Sequence, residues 1–354
     1  MSETELFEEY YSEAEKYLEN MTLEQKIGQM FFFKYSSSSK EQIKNKYIGG
    51  FVLYSKDFNK DEKIIKEELQ SLQEISMKTV NLPLGLAVDE EGGYVNRVSL
   101  YHRKEGKFPS PQEVYKKSEK SEKSGIPGIL SIEQEKRNLL RKFNININLA
   151  PVADVSNNPN DFIYKRTLGT SADETANYIA EEVKAYVNDN FSCCAKHFPG
   201  YGNNLDTHGE ISIDKREYDT FVNEDLLPIK KAIENKIPMI LCSHNVVECK
   251  DKTYPASVSK IWHDILRNDL NYSGIIITDD LSMGAVSKSV DESEVAILGI
   301  KAGNDILLTE NTNYLDDVIE AANDGDISED IIDKACKRII AWKLKYFLNF
   351  QPHG

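Results

Sequence analysis

Gly274-Ile-Ile-Ile-Thr-Asp279 is a run of β-branched residues that begins at a glycine and stops on an acid. It is too short for a buried helix, and the branched side chains at Ile275, Ile276 and Ile277 favour an extended backbone, so it reads as a strand buried on both faces. The same kind of run recurs at 30–33, 50–54, 84–89, 147–154, 192–197, 239–244 and 305–309, which makes eight candidate strands. Helical patterns lie between them at 61–80, 130–142, 172–190, 227–235, 259–268 and 314–322. Strands and helices that alternate in this way build a parallel sheet with helices outside, and eight units suffice to close it. The expected fold class is α/β, a (β/α)8 TIM-type barrel in a single domain, a size that 354 residues accommodate.

Working outward, Thr22-Leu-Glu-Gln25 has the spacing of a capping box and opens a helix leading into the first strand. The step from the first to the second strand, 35–49, is short for a crossover, so one early strand is expected to be irregular or reversed. Residues 101–128 are polar, carry prolines and lack periodicity, and are expected to form a long excursion. The last helical stretch, 328–347, spaces Ile331, Ile332, Ala335, Ile339, Ile340 and Trp342 for packing along the barrel wall. The expected organisation is a helical extension over 1–21, the barrel over 22–347 and a tail over 348–354.

Composition narrows the function. A formal net charge of −15 repels phosphate backbones, and no basic patch offsets it, so nucleic acid is not expected as a partner. No apolar run approaches the roughly 20 residues that span a bilayer, and the acidic N-terminus lacks the pattern of a secretory signal, so the protein is expected in the cytoplasm, away from membranes and as a monomer. Five cysteines without paired spacing, including adjacent Cys193 and Cys194, read as reduced core thiols.

Chemistry is expected where the strands end. Asp89, Asp154, Lys196-His197, His244 and Asp279 each close an apolar run, and in a barrel those ends converge on one mouth. One Asp at a strand end is more often a turn former or a helix cap, but five such positions around one mouth weaken that reading. Asp279 follows its strand directly and is the preferred catalytic carboxylate, with Asp280 as cap or structural partner. The glycine-bearing loop from Lys196 to His208 places Asp206 two residues before His208, and an Asp beside a His can orient the imidazole and raise its proton affinity, as an acid/base group requires.

These motifs resemble the bacterial β-N-acetylglucosaminidases of glycoside hydrolase family 3, over residues 22–347. The resemblance rests on Ala-Val-Asp-Glu-Glu-Gly-Gly-Tyr-Val-Asn-Arg (87–97), Leu-Ala-Pro-Val-Ala-Asp-Val (149–155), Lys-Arg-Thr-Leu-Gly (165–169), the loop 196–208, Pro-Ala-Ser (255–257) and Thr-Asp-Asp-Leu-Ser-Met (278–283). It implies a retaining hydrolase of terminal β-linked N-acetylglucosamine from muropeptides or chitin-type oligosaccharides, with wall-fragment recycling as its role. Asp279 would be the nucleophile and His208, activated by Asp206, the acid/base, while Asp89, Arg97, Arg166, Lys196 and His197 would hold sugar hydroxyls. A small carbohydrate is the implied partner, and no cofactor or metal is implied. Two positions depart from the pattern: Tyr201 stands where the family usually has a second histidine, and Thr207 replaces a serine. The competing readings are a phosphorylase, since histidine repels incoming phosphate less than a carboxylate does, a β-glucosidase of the same family, a metal-dependent hydrolase using His197, His208, His244 and Asp279, and a catalytically silent sugar-binding barrel.

Overall fold

The computed structural model describes residues 5–117, 125–204, 212–287 and 290–348. Eight parallel strands form the barrel: β1 (Phe31–Lys34), β2 (Gly50–Val52), β3 (Gly85–Val88), β4 (Ile147–Asn148), β5 (Ser192–Phe198), β6 (Met239–Cys242), β7 (Ile275–Thr278) and β8 (Leu307–Thr309). Neighbours in sequence are neighbours in the sheet, β8 pairs with β1, and a parallel bridge between Ile277 and Ile306 joins β7 to β8. The ring therefore closes, as the alternating pattern implied.

Three local features depart from the sequence-based expectations. The second strand is neither reversed nor irregular: β2 pairs in parallel with both β1 and β3, because Ser39–Lys46 winds into an eight-residue helix that makes the short step a crossover. The fourth strand is only two residues long rather than extending to Asp154. Pro151 has no N–H to donate, and pairing continues irregularly through Cys194 N–H to the Ala150 carbonyl and Lys196 N–H to the Pro151 carbonyl. Part of the 101–128 excursion is ordered by its own cap: Ser110 and Glu113 form a capping box around the helix Pro111–Lys116.

Phe32 occupies space between neighbouring strands of the barrel. The Phe32 ring lies so close over Gly50 and Gly85 that a Cβ at either would sit about 2.4 Å from its Cζ. Those two strands need glycine there because the ring occupies the volume of their side chains. The helix Glu329–Tyr346 does not run along the wall as its spacing suggested, but reaches the strands at their N-terminal ends. Trp342 Nε1 donates to Ser192 Oγ at the start of β5, and Arg338 pairs with Asp305 just before β8. Lys343 Nζ donates to the Gly49 carbonyl (2.8 Å) and to Gln29 Oε1 (2.7 Å). The helix Tyr11–Leu18 packs on this floor helix, so the N-terminal extension is part of the same body.

Lys343 is fully buried against neutral partners, and burial pulls its ammonium down to about 7. In the unfolded chain the group titrates near 10.5. Between those values the unfolded state holds the extra proton, so stability rises with pH, and the contribution is lost as pH falls towards 7. Lys343→Met should therefore be more stable than the parent near pH 6.5, by on the order of 3 kcal/mol, with the gap closing towards pH 10. Urea melts of both proteins at several pH values measure that gap; a gap independent of pH would refute the linkage.

Candidate active site

The ends of β3, β4, β5 and β7 carry a connected set of charges around the barrel mouth. Asp89, directly after β3, accepts from Lys196 Nζ at 2.7 Å and from Arg97 Nη2 at 3.2 Å. Glu91, two residues on, accepts from Arg166 Nη2 and Nε along one edge of the guanidinium (2.7 and 2.9 Å) and from Lys196 Nζ at 2.7 Å. Lys196 is thus shared between two carboxylates, while only 3 % exposed. Burial alone would raise the Asp89 and Glu91 carboxyls, but the adjacent cations outweigh it and hold both below the usual range. The same acids hold Lys196 above its ordinary value against its own burial.

His197 is aimed by Asp154. The Asp154 Oδ2 atom meets His197 Nδ1 at 2.6 Å and accepts the His197 N–H, and Oδ1 accepts the Tyr201 N–H at 2.7 Å. Arg166 Nη2 approaches His197 Nε2 at 3.3 Å, so the imidazole is held between Asp154 on one side and Arg166 on the other. One buried acid therefore fixes both the imidazole and the start of the loop beyond it.

Asp279 emerges from β7 partly exposed in the mouth. Burial works against its charge, but His244, His197, the Asp280 N–H and Lys196 together hold the carboxyl below its usual value, so it is ionised at neutral pH. Asp280 behaves as a turn former: its Oδ1 accepts the Ser282 N–H at 2.9 Å, and burial raises its carboxyl to about 6. His244 Nε2 donates to the Asp280 carbonyl at 2.8 Å, and its Nδ1 meets Ser257 Oγ at 2.7 Å, which ties the Pro-Ala-Ser segment to the turn carrying Asp279. An ionised carboxylate next to a cluster of fixed donors can attack an electrophilic carbon whose substituents those donors hold.

The structure brings Asp89, Arg97, Arg166, Lys196, His197 and Asp279 to one mouth. Asp206, Thr207 and His208 lie outside the described residues. Sequence reasoning gave no role to Glu91, which the turn after β3 brings to Arg166 and Lys196. It also missed Tyr54, just beyond β2, whose ring faces Arg97 (5.5 Å) and Lys34 (4.8 Å). Burial, then Asp89, Asp280 and Asp279, push its hydroxyl upward, so Tyr54 stays protonated beside these carboxylates. Nothing in a lone Tyr after a strand signals that role. Tyr201 is buried, edge-on to His197 (5.4 Å) and tilted against Phe162 (5.7 Å).

Residues 22–342 match the model of the glycosyl hydrolase family 3 N-terminal domain. A β-hexosaminidase of Hydrogenovibrio crunogenus is 31 % identical over 281 residues, covering 77 % of this chain and 74 % of the relative. Among solved structures, a glycoside hydrolase family 3 β-N-acetylglucosaminidase from a Paenibacillus species superposes with a TM-score of 0.82 at 25 % identity; the match covers 92 % of this chain but only 63 % of that one. Mycobacterium tuberculosis LpqI superposes at 0.80, also with 25 % identity, over 91 % and 94 % of the two chains.

Proposed function

Because the chain belongs to glycosyl hydrolase family 3, we propose that its barrel mouth is the site of a retaining exo-β-N-acetylglucosaminidase with Asp279 as nucleophile. The protein is a glycoside hydrolase of the β-hexosaminidase kind. The observation that carries the finer reading is the position of Asp279, held ionised beside the hydrogen-bonding set of Lys196, Arg166, Arg97, Asp89 and His197.

In this reading the terminal sugar sits on that set of donors and acceptors, which its own ion pairs hold in place before substrate arrives, so little reorganisation is needed on binding. Glu91 and Lys196, 4 % and 3 % exposed, make the base of the mouth a closed end, which suits release of a single terminal unit. The Asp279 carboxylate attacks the anomeric carbon while the glycosidic oxygen takes a proton and departs, which leaves a glycosyl ester. Water then attacks the same carbon from the face the leaving group vacated, and the configuration is retained. The family pattern assigns the proton to His208, oriented by Asp206. Muropeptides and chitin-type oligosaccharides are the substrates proposed, with wall-fragment recycling as the role.

The test is incubation with 4-nitrophenyl N-acetyl-β-D-glucosaminide, with and without inorganic phosphate, following the sugar product by NMR. The expected first product is the β-anomer of free N-acetylglucosamine, formed at a rate that phosphate leaves unchanged. Sugar 1-phosphate as the main product would make the protein a phosphorylase, and an initial α-anomer would exclude the covalent intermediate.

A further inference from the structure

Two aromatic rings stand exposed beside the charged cluster, where the sugar pocket has no use for them. Tyr94 is 71 % exposed and Phe162 is 40 % exposed. Tyr94 lies in the turn between Glu91 and Arg97, and Lys165 Nζ stands 5.2 Å from its ring centroid. Lys165 immediately precedes Arg166, which holds Glu91. Phe162 packs on Tyr201, which abuts His197. Both rings are therefore within one or two contacts of residues in the proposed sugar pocket, but on its solvent side.

The Tyr94 turn is fixed from several directions. The Gly92 N–H donates to the Val95 carbonyl (3.0 Å) and the Gly93 N–H to the Phe108 carbonyl (2.8 Å). Beneath it, buried Glu90 accepts the Arg97 and Val98 N–H groups at 2.9 and 2.7 Å and the Ser99 hydroxyl. Gly92 and Gly93 both have positive φ, and a Cβ on Gly92 would collide with the Pro109 carbonyl. An exposed aromatic ring on a turn this constrained loses little freedom when a ligand covers it, which is what a stacking platform requires.

We propose that Tyr94, steadied by Lys165, is a specificity-determining residue that stacks the sugar ring on the leaving side of the scissile bond, with Phe162, on the segment that also carries Lys165, as a second exposed ring. The inference rests on the exo-glycosidase reading above. Once the closed end holds the terminal sugar, the rest of the substrate must leave across this rim, and the flat apolar face of a pyranose fits an aromatic ring.

The test compares N,N′-diacetylchitobiose, whose leaving group is a sugar, with methyl N-acetyl-β-D-glucosaminide, whose leaving group cannot stack. For Tyr94→Ala, kcat/KM should fall roughly tenfold on the disaccharide and less than about twofold on the methyl glycoside, and Tyr94→Phe should restore the disaccharide value. Equal losses on both substrates, or no loss on the disaccharide, would overturn the platform while leaving the glycosidase reading intact. Failure of the unaltered protein to release N-acetylglucosamine from either substrate would overturn both.

Discussion

Asp279→Asn should lower kcat on an N-acetylglucosaminide by on the order of 10^4-fold or more while the fold is retained. The amide is nearly the same size and keeps the oxygen that accepts the Asp280 N–H, so the turn following β7 has no reason to move. What disappears is the negative charge that both attracts the developing oxocarbenium ion and forms the glycosyl ester. Because its surroundings hold the Asp279 carboxyl below its ordinary value, the parent should also keep its nucleophile ionised to a lower pH than a free aspartate would. The acid limb of kcat/KM due to this group should then lie below the ordinary aspartate range. Stopped assays with matched melting curves check both points. Substantial residual turnover in a well-folded variant would move the nucleophile elsewhere.

Lys136→Met should cost about 3 to 5 kcal/mol of stability, the usual penalty for stranding a buried partner charge. Lys136 and Glu133, on the helix Gly125–Lys142, are each 1 % exposed and meet at 2.5 Å. The same ammonium donates to the Glu91 carbonyl at 2.6 Å. Tyr186 OH donates to the other oxygen of Glu133 at 2.8 Å and accepts from Asn148 Nδ2, and Asn148 Oδ1 takes the Glu90 N–H. A buried polar chain thus runs from the outer helices to the segment carrying Asp89 and Glu91. Burial and Glu133 already push the neighbouring Glu182 carboxyl upward, against the pull of Lys136 and Arg137, so removing Lys136 leaves two buried acids with less cationic charge beside them. The melting midpoint should fall by about 4 to 7 °C. Adding Glu133→Gln, which removes the charge but still accepts from Tyr186, should recover about half of the loss. A double variant less stable than the single one would show that charge stranding is not the cause.

The barrel was legible because each strand is both apolar and bounded. Ile275 to Ile277 could be little else, and all eight runs became strands of the ring. The shortened β4 was not legible, since its pairing with β5 bends at Pro151 in a way that apolar character does not encode. The position of the final helix was missed for a related reason: an apolar stripe says that a helix is covered, not whether wall or floor covers it. In the site, strand-end residues such as Asp89, Lys196, His197 and Asp279 could be named from where the runs stop. Glu91 could not, because which of three consecutive residues, Asp89, Glu90 and Glu91, face the mouth depends on a turn set by Gly92 and Gly93. Glu90 turns inward and binds backbone, while its neighbours bind cations.

The floor helix has a consequence for how the molecule is made. A growing chain releases β1 early, yet the partner strand that closes the ring, β8, and the helix that seals its base follow some 275 to 315 residues later, counting from Phe31 to Leu307 and to Tyr346. Until residue 346 clears the ribosome, Gly49, Ser192 and Asp305 lack the partners that Lys343, Trp342 and Arg338 supply. Until then the nascent barrel is an open sheet whose β1 edge is unpaired and whose base is uncovered, the condition in which strand edges and apolar surface are most prone to misassociate.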